Sequence, residues 1–139
     1  MKKLTYDEIQ IGQSADYIRT ITENDIQRFA EVSGDHNPLH MDESFAKTTF
    51  FKGRIAHGML SASFISTVLA MKLPGAGSVY LKQEVNFLKP VRIGDTITTR
   101  VKVQDKNDEK ARITLKTTCT NQDGIVVLDG SAIVMVMRL

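Results

Sequence analysis

The sequence predicts an α+β domain in which a curved antiparallel sheet wraps a single buried helix. Three observations carry this expectation. One mid-chain segment is helical in length and almost wholly apolar. Strand-like segments fill the C-terminal half. The links that join those strands are short and rich in turn residues. At 139 residues the chain is expected to form one domain, spanning 1–139, with a substantial core.

Taken in order, "SADYIRTIT" (14–22) alternates loosely and is expected as a strand. Thr22 precedes "ENDIQRFAEV", with Asp25 three residues on, the pattern of an N-cap and its acidic partner. Ile26, Phe29 and Ala30, with Val32 a further candidate, give that helix its apolar stripe, and Ser33-Gly34 ends it. Asp35 therefore opens a loop, in which Pro38 keeps Asn37 out of the α region. "DESFAKTT" (42–49) suits a short surface helix.

From Gly58 to Met71 there is no charged residue, as expected of a helix inside a protein. Its length of about 21 Å is too short to cross a bilayer. Strands are expected at 79–88, 95–104, 111–120 and 125–137, with a bulge at Gly130. "ARITLKTTCT" alternates so that Ala111, Ile113, Leu115, Thr117 and Cys119 share the inner face. The links "KPVRIG", "DKNDEK" and "NQDG" are too short for parallel crossovers, which predicts an antiparallel meander. The last strand is apolar on both faces and is expected to be central or at a subunit contact. A buried helix wrapped by such a sheet is a hot-dog arrangement.

Eighteen Lys and Arg against sixteen Asp and Glu leave a net charge of +2 with no dominant basic cluster, which argues against nucleic acid and anionic membranes as partners. Cys119 is the sole cysteine, so no intrachain disulfide forms, and its inward position marks it as core. Asp7 and Glu8 interrupt the N-terminus before an apolar run can develop, so it does not read as a signal peptide, and a cytoplasmic location follows.

The chemistry concentrates in "FAEVSGDHNPLHMD" (29–42), which sets Asp35, His36, Asn37, Pro38 and His40 within six residues. A metal site on His36 and His40 is disfavoured, because Pro38 lies between them and no glutamate follows the first histidine. No nucleophile is expected either: "GMLSAS" lacks the G-x-S-x-G pattern, and Cys119 has no neighbouring histidine in sequence. What remains is general acid–base chemistry, with Asp35 and His40 holding one water on a rigid loop. The Gly58 N–H, at the start of the apolar helix, suits a developing oxyanion, though a tightly packed helix start would also explain the glycine.

"SGDHNPLHMD", with "HGML" beginning seventeen residues after His40, resembles the signature of the MaoC-like (R)-specific enoyl-CoA hydratases. The similarity extends through "PGAGSVYLKQEVNFLKPVRIGDTITTRVKV". The resemblance implies a hot-dog fold and reversible syn hydration of trans-2-enoyl-CoA to (R)-3-hydroxyacyl-CoA. It also implies Asp35 and His40 as the catalytic pair and the Gly58 amide as oxyanion donor. Asn37, His57 and Ser66 fall on positions that shape the site, and His36 on a variable one. No metal or redox cofactor is called for.

Three other functions compete on this fold. A 3-hydroxyacyl-carrier-protein dehydratase would use the same chemistry. A thioesterase would want a carboxylate on the central helix, which has no Asp or Glu. A non-catalytic thioester-binding module would need neither Asp35 nor His40. The expected partners are an acyl-CoA or acyl-carrier-protein thioester and a second copy of the chain, as a homodimer or dimer of dimers. Lys72, Lys82, Lys89 and Arg92 are candidates to meet phosphates, and Met59, Leu60, Phe64, Ile65 and Val85 line an acyl tunnel or fill the core.

Overall fold

The computed structural model describes residues 3–138. Its elements are β1 (Ser14–Thr20), α1 (Glu23–Ser33), α2 (Pro38–Met41), α3 (Glu43–Ala46), α4 (Gly58–Met71), β2 (Ser78–Phe87), β3 (Thr96–Asn107), β4 (Arg112–Thr120) and β5 (Val126–Val136). The strands form one five-stranded antiparallel sheet in the order β1-β3-β4-β5-β2. It curls around α4, as expected of a hot-dog domain.

Alternation does the sorting. On β4, Ile113, Leu115, Thr117 and Cys119 are buried; on β3, Ile97, Thr99, Val101 and Val103 are their counterparts. These side chains meet Leu60, Phe64, Ile65, Val68 and Leu69 of α4 in one apolar core. Burying each of the larger ones contributes about 1.5–3 kcal/mol. Burial also pushes the Cys119 thiol pKa up, as befits a core residue.

The sheet is bent by bulges at Leu81, Gln104 and Val127, where the pairing register slips by one residue. The bulge at Val127 explains why Val127 and Leu128 are both buried although adjacent. It also corrects the expectation of a bulge at Gly130. Gly130 pairs in register with Val85 and Thr117, and glycine is needed there for another reason. A Cβ at this position would lie 1.8 Å from the Glu84 carbonyl oxygen. The glycine lets β2 press against β5 where the sheet turns.

The expected meander holds only for β3-β4-β5. The "KPVRIG" link does not close a hairpin: β2 pairs with β5, and the chain crosses the open end of the curl to reach β3 beside β1. On the way, the Val91 carbonyl accepts from Ala56 N–H (2.7 Å), stitching the link to the approach of α4. β5 lies inside the sheet, between β4 and β2, which accounts for its apolar character on both faces. The helix is less enclosed than its composition predicts. Met59, Ser63, Ser66, Ala70 and Met71 are exposed, and the first three line a groove with Tyr80 and Leu81 of β2, one of the sheet's two edge strands.

Candidate active site

The site is built where α1 ends and α4 begins. Thr22 Oγ1 accepts from Asp25 N–H (3.1 Å) and Asp25 Oδ2 accepts from Thr22 N–H (3.0 Å), so the expected capping box starts α1. Gly34 stops it in the left-handed conformation (φ 79°), which glycine adopts without steric cost. The Ser33 hydroxyl then donates to Phe29 O (2.7 Å) and accepts from Asp35 N–H (3.1 Å), aiming the chain away from the helix.

Asp35 lies on the expected loop, but His40 does not. Pro38 is the first residue of the short helix α2, where its missing N–H costs nothing, and Asn37 caps it by accepting from Leu39 N–H (3.0 Å). Asp35 Oδ1 accepts from Asn37 N–H (3.2 Å). Asn37, which does not line the cavity, thus links the Asp35 carboxylate to the backbone of His40, whose N–H donates to the Asn37 carbonyl (2.9 Å). His36 is exposed.

The ring of His40 is oriented by Nδ1, 2.8 Å from the Ile55 carbonyl. A carbonyl only accepts, so Nδ1 carries the proton and Nε2 of the neutral ring offers a lone pair. His57, 2% exposed, places Nε2 2.9 Å from the Asp35 carbonyl, which by the same logic puts its proton on Nε2. Its ring packs against those of His40 (centroids 4.1 Å apart) and Phe29 (4.9 Å). Burial holds the His57 pKa below its ordinary value near 6.5, despite the Asp35 carbonyl.

One ligating atom each of Asp35, His40 and His57 falls within 4.8 Å of the others. The fold thus gathers residues 22 positions apart into one cluster. Two imidazoles and a carboxylate can also serve a divalent cation, but here two of the four imidazole nitrogens already donate to carbonyls.

The cluster opens onto a cavity of about 420 Å³. Its wall is chiefly apolar, with Phe51, Ile55, Met59, Phe87, Val91 and Leu128 among the lining residues. Gly58 lines it too, as the first residue of α4, and its N–H has no hydrogen-bond partner among the described residues. A Cβ on Gly58 would sit 2.7 Å from the Phe87 ring, so the glycine is what lets this wall close up.

Ser66 lines a neighbouring groove with Phe29, Ser63, Tyr80 and Val85; Met59 is common to both spaces. Of the four basic candidates, Lys89 lines the main cavity and Lys82 the second groove, where it pairs with Glu84 (3.4 Å). Lys72 donates to the Asp16 carbonyl, and Arg92 to the carbonyls of Phe51 (2.5 Å) and Arg54 (3.3 Å).

Two contributors escape sequence reasoning. Arg54 donates from Nε to the His40 carbonyl (2.6 Å) while its guanidinium pairs with Glu23 (2.8 Å), so α1 braces the turn that carries His40. Arg54 in turn holds the Glu23 carboxyl below the usual carboxylate range. Ser61 lines the cavity from within α4, one serine among several on that helix. An arginine following a glycine and a serine in an apolar helix carry no pattern that would single them out.

The fold and this arrangement define a hot-dog protein with a carboxylate–imidazole cluster near the N-terminus of its central helix. The chain belongs to the MaoC-like domain family, whose model matches residues 8–124. It is 53% identical over 131 residues to an (R)-specific enoyl-CoA hydratase of Rhodospirillum rubrum, covering 94% of this chain and 90% of that one. It is 43% identical over 138 residues to a 3-hydroxybutyryl-CoA dehydratase of Methylorubrum extorquens, covering 99% and 87%. Among solved structures, the unliganded R-hydratase PhaJ1 of Pseudomonas aeruginosa superposes with a TM-score of 0.93 at 44% identity, covering 99% of this chain and 88% of that one.

The lowered His57 pKa yields a stability prediction. A histidine whose folded pKa lies below its unfolded value stabilises the fold above about pH 6.5, and that contribution is lost as pH falls through the folded pKa. The midpoint of thermal unfolding should therefore fall between pH 7 and pH 5. The slope should be shallower in His57→Asn, whatever its absolute stability. Parallel slopes for the two proteins would show that His57 is not buried in the neutral form.

Proposed function

We propose that this protein is an (R)-specific enoyl-CoA hydratase, a hydro-lyase that adds water reversibly to trans-2-enoyl-CoA. One observation carries the proposal: Asp35, His40 and the unpaired Gly58 amide share a single, mostly apolar cavity. The hydratase and dehydratase relatives agree with it. The chain acts as one domain in the cytoplasm on fatty acyl thioesters.

In the hydration direction, a water donates one hydrogen to the free oxygen of the Asp35 carboxylate and the other to His40 Nε2. Its oxygen attacks C3 of the enoyl group while the pair takes one proton. Electron density moves to the thioester oxygen, which receives the Gly58 N–H. The proton then passes to C2 from the face the water occupied, so oxygen and hydrogen add syn. Atoms balance with no external acid, and dehydration runs the same steps backwards. The apolar wall excludes other water and strengthens each of these hydrogen bonds.

Asn37 fixes the spacing of the pair, and His57 fixes Asp35 against α4 through the 2.9 Å bond. Lys89 stands at the cavity wall as the cation best placed for a CoA phosphate. Ser66 belongs to the acyl end, where the second groove continues past Met59.

A homodimer fits the exposed apolar strip of Met59, Met71, Tyr80 and Leu81 and the unpaired edge of β2. Pairing β2 with a second copy would continue the sheet and cover that side of α4. A monomer by light scattering at micromolar concentration would rule this assembly out.

Activity is tested by loss of the enoyl-thioester absorbance with crotonyl-CoA. Wild type should yield the (R)-alcohol. Asp35→Asn and His40→Gln, each folded, should lose at least about 100-fold in kcat. Full activity in both variants would remove the pair from the mechanism, and release of free CoA would make the protein a thioesterase. Turnover confined to carrier-protein thioesters would keep the chemistry and change the substrate.

A further inference from the structure

Two buried side-chain atoms lack a hydrogen-bond partner among the described residues, His57 Nδ1 and Ser61 Oγ. They stand one turn apart at the start of α4, and both residues line the cavity that holds Asp35, His40 and Gly58. Their chemistry differs. The His57 ring gives its proton to the Asp35 carbonyl from Nε2, so Nδ1 offers only a lone pair. Ser61 offers an O–H.

That hydroxyl is unusual for its setting. A serine inside a helix normally satisfies itself by donating to a carbonyl in the preceding turn, as Ser63 does to Leu60 O (2.5 Å). Ser61 makes no such bond although it is only 2% exposed. An unsatisfied buried hydroxyl destabilises a fold, so its presence calls for a partner that arrives with the ligand. Side chains on a helix lean toward its N-terminus, and residues three apart share a face. Ser61 therefore leans toward Gly58, whose N–H is also unpaired.

We propose that the Ser61 hydroxyl is a second hydrogen-bond donor to the thioester oxygen, acting beside the Gly58 amide. This deepens the hydratase reading and rests on it. As the water oxygen bonds to C3, the C2–C3 π electrons shift toward the carbonyl and the thioester oxygen gains negative charge. Two donors fixed in a low-dielectric wall stabilise that enolate more than the neutral thioester. The bonds hold until C2 takes its proton and the carbonyl re-forms. No atom of Ser61 is transferred.

The test pairs kinetics with stability. In Ser61→Ala, kcat for crotonyl-CoA should fall roughly 100-fold with KM little changed, the signature of a contact made mainly in the transition state. The thermal midpoint should stay level or rise, since the orphan hydroxyl is gone. A spectroscopic readout is independent of turnover. Bound to Asp35→Asn, 2,4-hexadienoyl-CoA should show a red-shifted absorbance from its polarised carbonyl, and adding Ser61→Ala should shrink that shift.

Wild-type kcat in Ser61→Ala would overturn the proposal and leave the hydratase reading intact. So would a slow variant with a lowered midpoint and an undiminished red shift, which would make Ser61 a packing residue. Wild-type protein inert to every enoyl thioester would overturn the hydratase reading and this proposal with it.

Discussion

The hydrogen bond from His57 Nε2 to the Asp35 carbonyl (2.9 Å) is the constraint on which the site depends. It joins the exit of α1 to the entrance of α4, two segments with no reason of sequence to meet. It brings Asp35, His40 and Gly58 to the lining of one cavity. It also fixes the histidine's tautomer, while burial, working against this bond, holds the ring's pKa below its ordinary value. Because the ring packs on His40 as well, a single side chain aligns both members of the pair. Protonating or removing it would disturb the site and the fold together.

That bond works because the sheet delivers α4 to the right place. Bulges in β2, β3 and β5 and the close approach at Gly130 curl five strands around the helix, leaving its N-terminus at the open end of the curl. The β2–β3 link crosses this opening, and Val91 fastens it to Ala56 just ahead of the helix. Loop, link and helix start thus converge where the helix dipole is positive and the amides are unpaired. On the outer side, Arg54 bridges Glu23 and the His40 carbonyl and braces the turn from α1.

Local features were the legible ones. Thr22 with Asp25, and Gly34 after Ser33, mark both ends of α1 because capping is decided by a few neighbouring residues. The strands follow from alternation, and the apolar run 58–71 marks the central helix. The pairing of β2 with β5 was not legible, since a short link across a curl looks like a hairpin link until the curvature is known. Gly130 was rightly special but for the wrong reason: a bulge and a close approach both ask for glycine, and only coordinates separate them. Asp35, His40 and Gly58 could be read from residue chemistry and helix position, and the family motif agreed with them; Asn37, His57 and Ser66 came from the motif alone. The structure brings the first three to one cavity with His57, and puts Ser66 in the adjoining groove. Ser61 was invisible because four hydroxyl residues follow Gly58 on α4, and which of them faces the cavity depends on helix phase, set by packing.

A site in which one carboxylate–imidazole pair both directs the water and returns its proton has a stereochemical consequence. Hydration of crotonyl-CoA in deuterium oxide, with the relative configuration of the product at C2 and C3 read by NMR, tests it most directly. Delivery by one pair places the deuteron and the hydroxyl on the same face, in a single diastereomer of the (R)-alcohol. Anti addition, or an even mixture of diastereomers at the first turnover, would mean that the proton reaches C2 from elsewhere and that Asp35 and His40 do not act as the shared acid and base.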